Sequence, residues 1–122
     1  MSVDDRKQSI LTALAQHRGS LERARHWTRR LIYTPGAADM AELCGAHWLF
    51  DLIASHQIDP KVAREEFQVW TLTVAANRTA EARADDGNGR EIASQQIEHA
   101  DFPLNEIKLY LDHGTLMLPS EY

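Results

Sequence analysis

Cys44, His47 and Asp51 are the residues of this chain whose types and spacing come nearest to a chemical site. On one helix they fall at i, i+3 and i+7 and share a stripe. His47 and Asp51, four apart, are within hydrogen-bonding reach of each other. The spacing Cys-x2-His-x3-Asp could offer two or three ligands to a metal ion, and Cys44 with His47 could form a nucleophilic pair. Both chemistries meet obstacles. Three ligands from one straight helix rarely converge on a tetrahedral ion, so His26, His56 or His113 would have to contribute from a second element. A reactive thiolate needs exposure and a positive neighbour, and a position in the middle of an apolar helix denies it both. There is no Cys-x2-Cys or His-Glu-x2-His frame. The simpler reading prevails: Cys44 packs as a small hydrophobe, His47 is tied to Asp51, and no cofactor is expected.

A second constellation is Trp27 among Arg23, Arg25, Arg29 and Arg30. An aromatic ring flanked by guanidinium groups is typical of a contact patch for a protein partner or an anion. Two further groups invite chemistry and decline it. Asp85, Asp86 and Asn88 suggest a calcium loop, but the acid required twelve positions along is Gln96. Asp39 and Glu42 could act as paired acids, yet carboxylates near a helix N-terminus are explained by the helix dipole. Neither a Gly-x-Ser-x-Gly elbow nor a phosphate-binding glycine loop is present. The chain is therefore expected not to be an enzyme.

The elements that must position these residues belong to one domain. With 122 residues, 43% hydrophobic and 25% charged, residues 1–122 form a single globular unit that needs no metal or disulfide staple. A lone cysteine excludes an internal disulfide and suits a reducing compartment. The segment MSVDDRKQSI carries an acidic pair where an export signal would want a basic end, so a cytoplasmic location without membrane attachment is expected. Charge is polarised. Residues 1–30 hold seven Lys/Arg against three Asp/Glu, a basic segment of net +4; residues 31–122 hold six against fifteen, an acidic core of net −9. That acidity disfavours direct binding to nucleic acid, where phosphate contacts dominate.

Hydrophobic periodicity predicts a first helix over 4–17, with Ile10, Leu14 and His17 on one face. Residues 21–33 read as two short strands. Thr34-Pro35-Gly36 is a turn, and a long helix, apolar nearly all round, follows over 37–55. Residues 67–76 (FQVWTLTVAA) are the clearest strand, apolar on both faces and so interior to the sheet, with Trp70, Leu72 and Val74 sharing one side. Residues 79–84 and 90–98 flank a hairpin turn at Asp85–Gly89. Asp101-Phe102-Pro103 is expected to open a last helix that buries Leu104, Ile107, Leu111 and Tyr110 and stops at Gly114. Leu116-Met117-Leu118 is a final short strand. The result is an α+β fold with a mainly antiparallel sheet, a long buried central helix and a shorter C-terminal helix.

Seven ordered blocks carry a resemblance. They are Tyr33-Thr34 with Gly36; Gly45-Ala46 with Trp48-Leu49; Phe67-Gln68-Val69-Trp70; Asp86-Gly87-Asn88-Gly89; Asp101-Phe102-Pro103-Leu104; Leu109-Tyr110; and Leu118-Pro119-Ser120-Glu121-Tyr122. With these the chain resembles a bacterial domain-of-unknown-function family, number 6876. The resemblance implies a phage, plasmid or other mobile-element setting and brings no catalytic residue. Where the family has an aromatic residue this chain has His47, which counts against a family-wide chemical role for that position. Small proteins of mobile elements often bind host machinery. The expected function is thus a non-enzymatic protein-binding module that blocks a host protein or ribonucleoprotein complex, a CRISPR-type defence complex for example. Its contact residues would be Arg23, Arg25, Trp27, Arg29 and Arg30. The alternatives are a small metal-dependent or cysteine-based enzyme built on Cys44, His47 and Asp51, and a homo-oligomeric structural protein.

Overall fold

The structure is a computed structural model that describes residues 3–15, 24–25 and 31–122. Its element order is α1 (Val3–Leu14), β1 (Ala24–Arg25), β2 (Ile32–Tyr33), α2 (Pro35–Cys44), α3 (His47–His56), α4 (Pro60–Ala63), β3 (Phe67–Val74), β4 (Ala80–Asp85), β5 (Glu91–Ile97), β6 (Glu106–Asp112) and β7 (Thr115–Met117). A 3-10 turn over Pro119–Glu121 ends the chain. The strands form one sheet in the order β1-β2-β7-β6-β3-β4-β5. Every pairing is antiparallel except that of β2 with β7. The fold is α+β, as the sequence predicts.

β3 is an interior strand, paired with β6 on one side and β4 on the other. Its period-2 pattern sends Gln68, Trp70, Leu72 and Val74 inward. The core there also holds Ile10 of α1, Met40 of α2, and Phe50 and Ile53 of α3. Gln68 is 1% exposed, and buried amides must be hydrogen-bonded. Its Nε2 donates to Gln57 Oε1 at 2.9 Å and to the Val62 carbonyl at 3.0 Å. Its Oε1 accepts from Gln57 Nε2 and from the Trp70 indole, both at 2.9 Å. This saturated network ties the segment after α3 to the central strand.

Two expectations need correction. The long helix over 37–55 is two helices. Gly45 adopts the left-handed conformation at φ 62°, caps α2, and sends the chain into α3 in a new direction. An apolar surface nearly all round the segment hides this break, because no periodicity is lost across it. The expected C-terminal helix is the strand β6, paired with β3 over Glu106–Asp112. Leu104, Ile107 and Leu111 satisfy helical spacing, but Ile107, Leu109 and Leu111 satisfy the period of a strand equally well. The deciding residues are His113 and Gly114, at φ 49° and 83°. Two consecutive positive φ angles make the tight β6–β7 hairpin turn. Gly114 is therefore a turn residue and not a helix stop.

Candidate functional site

The chain's end is anchored by a buried carboxyl group. Thr34, in an extended conformation, caps α2 by accepting from the Ala37 N–H at 3.2 Å. Its hydroxyl donates to Glu121 Oε1 at 2.5 Å. The Gly36 N–H donates to Glu121 Oε2 at 3.2 Å, and the Leu118 N–H to Oε1 at 3.0 Å. Glu121, 9% exposed, thus closes the N-terminus of α2 from the far end of the sequence, where free N–H groups favour a carboxylate. Gly36 is required there by close approach: a Cβ on it would lie 2.4 Å from Glu121 Oε1.

This anchor places Tyr122 on the side of the sheet opposite the core. Phe67, Tyr110 and Tyr122 form a closed triangle of rings there. The centroids are 5.2 Å apart for Phe67–Tyr110, 5.3 Å for Phe67–Tyr122 and 5.5 Å for Tyr110–Tyr122, all tilted or edge-on as ring quadrupoles prefer. Phe67 and Tyr110 are half-buried, while Tyr122 is 71% exposed. The β4–β5 turn closes over the cluster, with Gly87 at φ 87° so near Phe67 that a Cβ would meet its ring at 3.0 Å. Asp85 and Asp86 hold that turn by accepting from the N–H groups of Gly87 at 2.7 Å and Asn88 at 2.8 Å. The Asn88 N–H foremost, and then Arg90, draw the Asp86 carboxyl below its usual pKa. Arg90 spans Asp86 and Glu65 and locks the turn to the segment before β3.

Cys44 and His47 lie elsewhere. Cys44, 2% exposed, ends α2, and burial pushes its thiol up to about 11, against a smaller opposing effect of Arg6. It lies beside a shallow cavity of about 380 Å³ that Trp48, His99 and Asp101 also line. His47 begins α3 beyond the Gly45 break, with its Nε2 3.6 Å from Glu42 Oε2. The single-helix stripe of Cys44, His47 and Asp51 is therefore divided between two helices. Among the described residues, no group of three or more His, Cys, Asp or Glu could hold a metal ion. Arg25 falls in β1, and Arg23, Trp27, Arg29 and Arg30 lie outside the described residues.

A second cleft, of about 410 Å³, opens beside Gln68 and is rimmed by Glu65, Glu66 and His113. The His113 Nδ1 sits 2.7 Å from Asp112 Oδ1 and its Nε2 3.3 Å from Glu66 Oε2. These carboxyl groups, Asp112 above all, raise the imidazole pKa. The sequence reading missed this cluster, the Glu121 anchor and the ring triangle. Only Gln68 had a visible signal, since it shares the parity of Trp70 and Leu72.

Residues 8–122 match a family of unknown function, DUF6876. The chain belongs to this family. No curated protein and no solved structure matches it. In this DUF6876 chain, the blocks that carry the resemblance converge in space. Phe67, Gly87, Tyr110 and Tyr122, from four separate blocks, meet at the ring triangle, and Thr34, Gly36 and Glu121 form the anchor beneath the chain's end. Among the described residues, no helix is long and apolar enough to cross a membrane.

Proposed function

We propose that this chain is a non-enzymatic protein-binding module whose contact surface is the face of the sheet around Phe67, Tyr110 and Tyr122, on which no helix lies among the described residues. The observation that carries the reading is the ring triangle itself. Three aromatic side chains are gathered on that face, and one of them, Tyr122, is largely in solvent. Aromatic anchors of this kind supply much of the energy of protein interfaces at low entropic cost. Charged side chains border the rings, with Lys108 on β6 and Arg83 on β4 sharing the face. The partner we propose is a host protein or ribonucleoprotein complex, met in the mobile-element setting that the family resemblance implies, and the mechanism is steric occlusion. A cysteine-based enzyme has the buried, high-pKa thiol of Cys44 against it.

The test is affinity capture from host lysate with the tag on the N-terminus, since the C-terminus belongs to the proposed surface. A stoichiometric partner should co-elute with the wild type and be lost from Tyr122→Ala, whose circular dichroism stays unchanged. Retention of that partner by a folded Tyr122→Ala, Tyr110→Ala double variant overturns the assignment of the face.

A further inference from the structure

We infer that the free edge of β5 is a self-pairing strand that joins two copies of this chain about a two-fold axis at Ser94. β5 ends the sheet. It pairs with β4 over Glu91–Ile97, and no strand among the described residues covers its other edge. Such an edge offers unpaired backbone groups, which native proteins usually blunt with lysine, proline or a bulge. Here the one irregularity lies at Ala84/Asp85, against the start of β5. From Ile92 to Ile97 the edge has neither charge nor proline, and both isoleucines are only half-buried.

The sequence of this edge is complementary to itself. Antiparallel pairing centred on Ser94 sets Ile92 against Gln96 and Ala93 against Gln95. At each end it brings Arg90 of one copy toward Glu98 of the other. The register displaced by one residue, centred between Ser94 and Gln95, instead sets Glu91 against Glu98, a like-charge pair repeated at both ends. Displacement the other way aligns Arg90 with Ile97 and loses both charge pairs. Of the three registers, the Ser94 one alone keeps an opposite-charge pair at each end and avoids the like-charge pair, while setting Glu91 against Ile97. The strand is also held for the purpose. Gln95 is fixed to α3 through His56 at 2.8 Å, and Arg90 is fixed through Asp86 and Glu65. Ser94 pairs with Arg83 of β4 and is exposed.

Sedimentation equilibrium of the full chain tests the proposal. The wild type should sediment at twice its 13.8 kDa. Ser94→Glu sets the new carboxyl beside Arg83 in its own chain, so the fold is kept, but against its symmetry mate across the axis. Dimerisation should weaken at least roughly tenfold. A second variant holds if that one misfolds: Ser94→Cys should cross-link to a covalent dimer on mild oxidation, while the exposed Thr73→Cys on β3 should not. A wild type that stays monomeric at millimolar concentration overturns the proposal. So does a dimer indifferent to Ser94→Glu, or equal cross-linking at both cysteine positions.

Discussion

Gly36→Ala should destabilise this protein although it replaces glycine by alanine within a helix. Gly36 is the second residue of α2, and its φ is not in the left-handed range. By backbone preference alone, alanine there would gain roughly 0.5–1 kcal/mol. The new methyl group, however, would lie 2.4, 2.6 and 2.8 Å from the three atoms of the Glu121 carboxyl group. That group must leave, and it gives up the Thr34 hydroxyl, the Gly36 N–H and the Leu118 N–H as it does. At about 1 kcal/mol for each hydrogen bond the loss is roughly 3 kcal/mol. Set against the helix gain, this leaves a net destabilisation of about 2 kcal/mol, a melting temperature lower by roughly 6–10 °C in a domain of this size. The assay is a double-mutant cycle with Glu121→Ala, followed by urea denaturation. In the Glu121→Ala background the clash is gone, and Gly36→Ala should become neutral or stabilising, a coupling of about 2–3 kcal/mol. A Gly36→Ala variant that stabilises the wild type, or costs the same in both backgrounds, refutes the anchor.

Other substitutions probe separate parts of the argument. Gln68→Leu fills the same space but strips acceptors from Trp70 and Gln57 inside the core, and should cost about 3–5 kcal/mol in urea unfolding. Gly45→Ala meets no atom within 4 Å, so it should lose only the left-handed backbone penalty of about 1–2 kcal/mol. His113 titrates above the usual histidine value because of Asp112 and then Glu66. Its contribution to stability is therefore complete below its unfolded pKa and lost as pH rises through the folded one. NMR should show the raised titration, and His113→Asn, which tolerates the positive φ, should flatten the pH dependence. Cys44 should resist thiol reagents at pH 8 in the native state and react promptly in urea.

The fold was legible wherever one period ruled out the other. FQVWTLTV alternates cleanly and is too rich in β-branched and aromatic residues for a helix, so β3 and its interior place follow from the sequence. The β4–β5 hairpin follows from Asp86-Gly87-Asn88-Gly89, because positive φ is needed there and glycine provides it. Legibility failed where two periods agree. Residues 107–111 fit both, and the hairpin residue that decides between them, His113, is an unusual one for positive φ. The site was less legible than the fold for a related reason. Cys44, His47 and Asp51 attract attention as neighbours in sequence, but the turn at Gly45 parts them. The residues that do meet come from positions 34, 36 and 121, or from 67, 87, 110 and 122, and spacing along the chain carries no trace of such contacts.

The two clusters are mechanically one device. Glu121 and Tyr122 are adjacent, so the carboxyl group that caps α2 on the core side fixes the ring that completes the triangle on the open side. Loss of the anchor should therefore weaken partner binding even where no contact residue has changed. Glu121→Gln can still accept from the Gly36 N–H and should keep more binding than Glu121→Ala, while Tyr122→Ala should abolish binding and leave stability almost untouched. Capture yields and melting temperatures of these three variants separate the roles. If binding follows stability across all three, the ring acts only through the fold. If Tyr122→Ala departs from that line, the ring touches the partner.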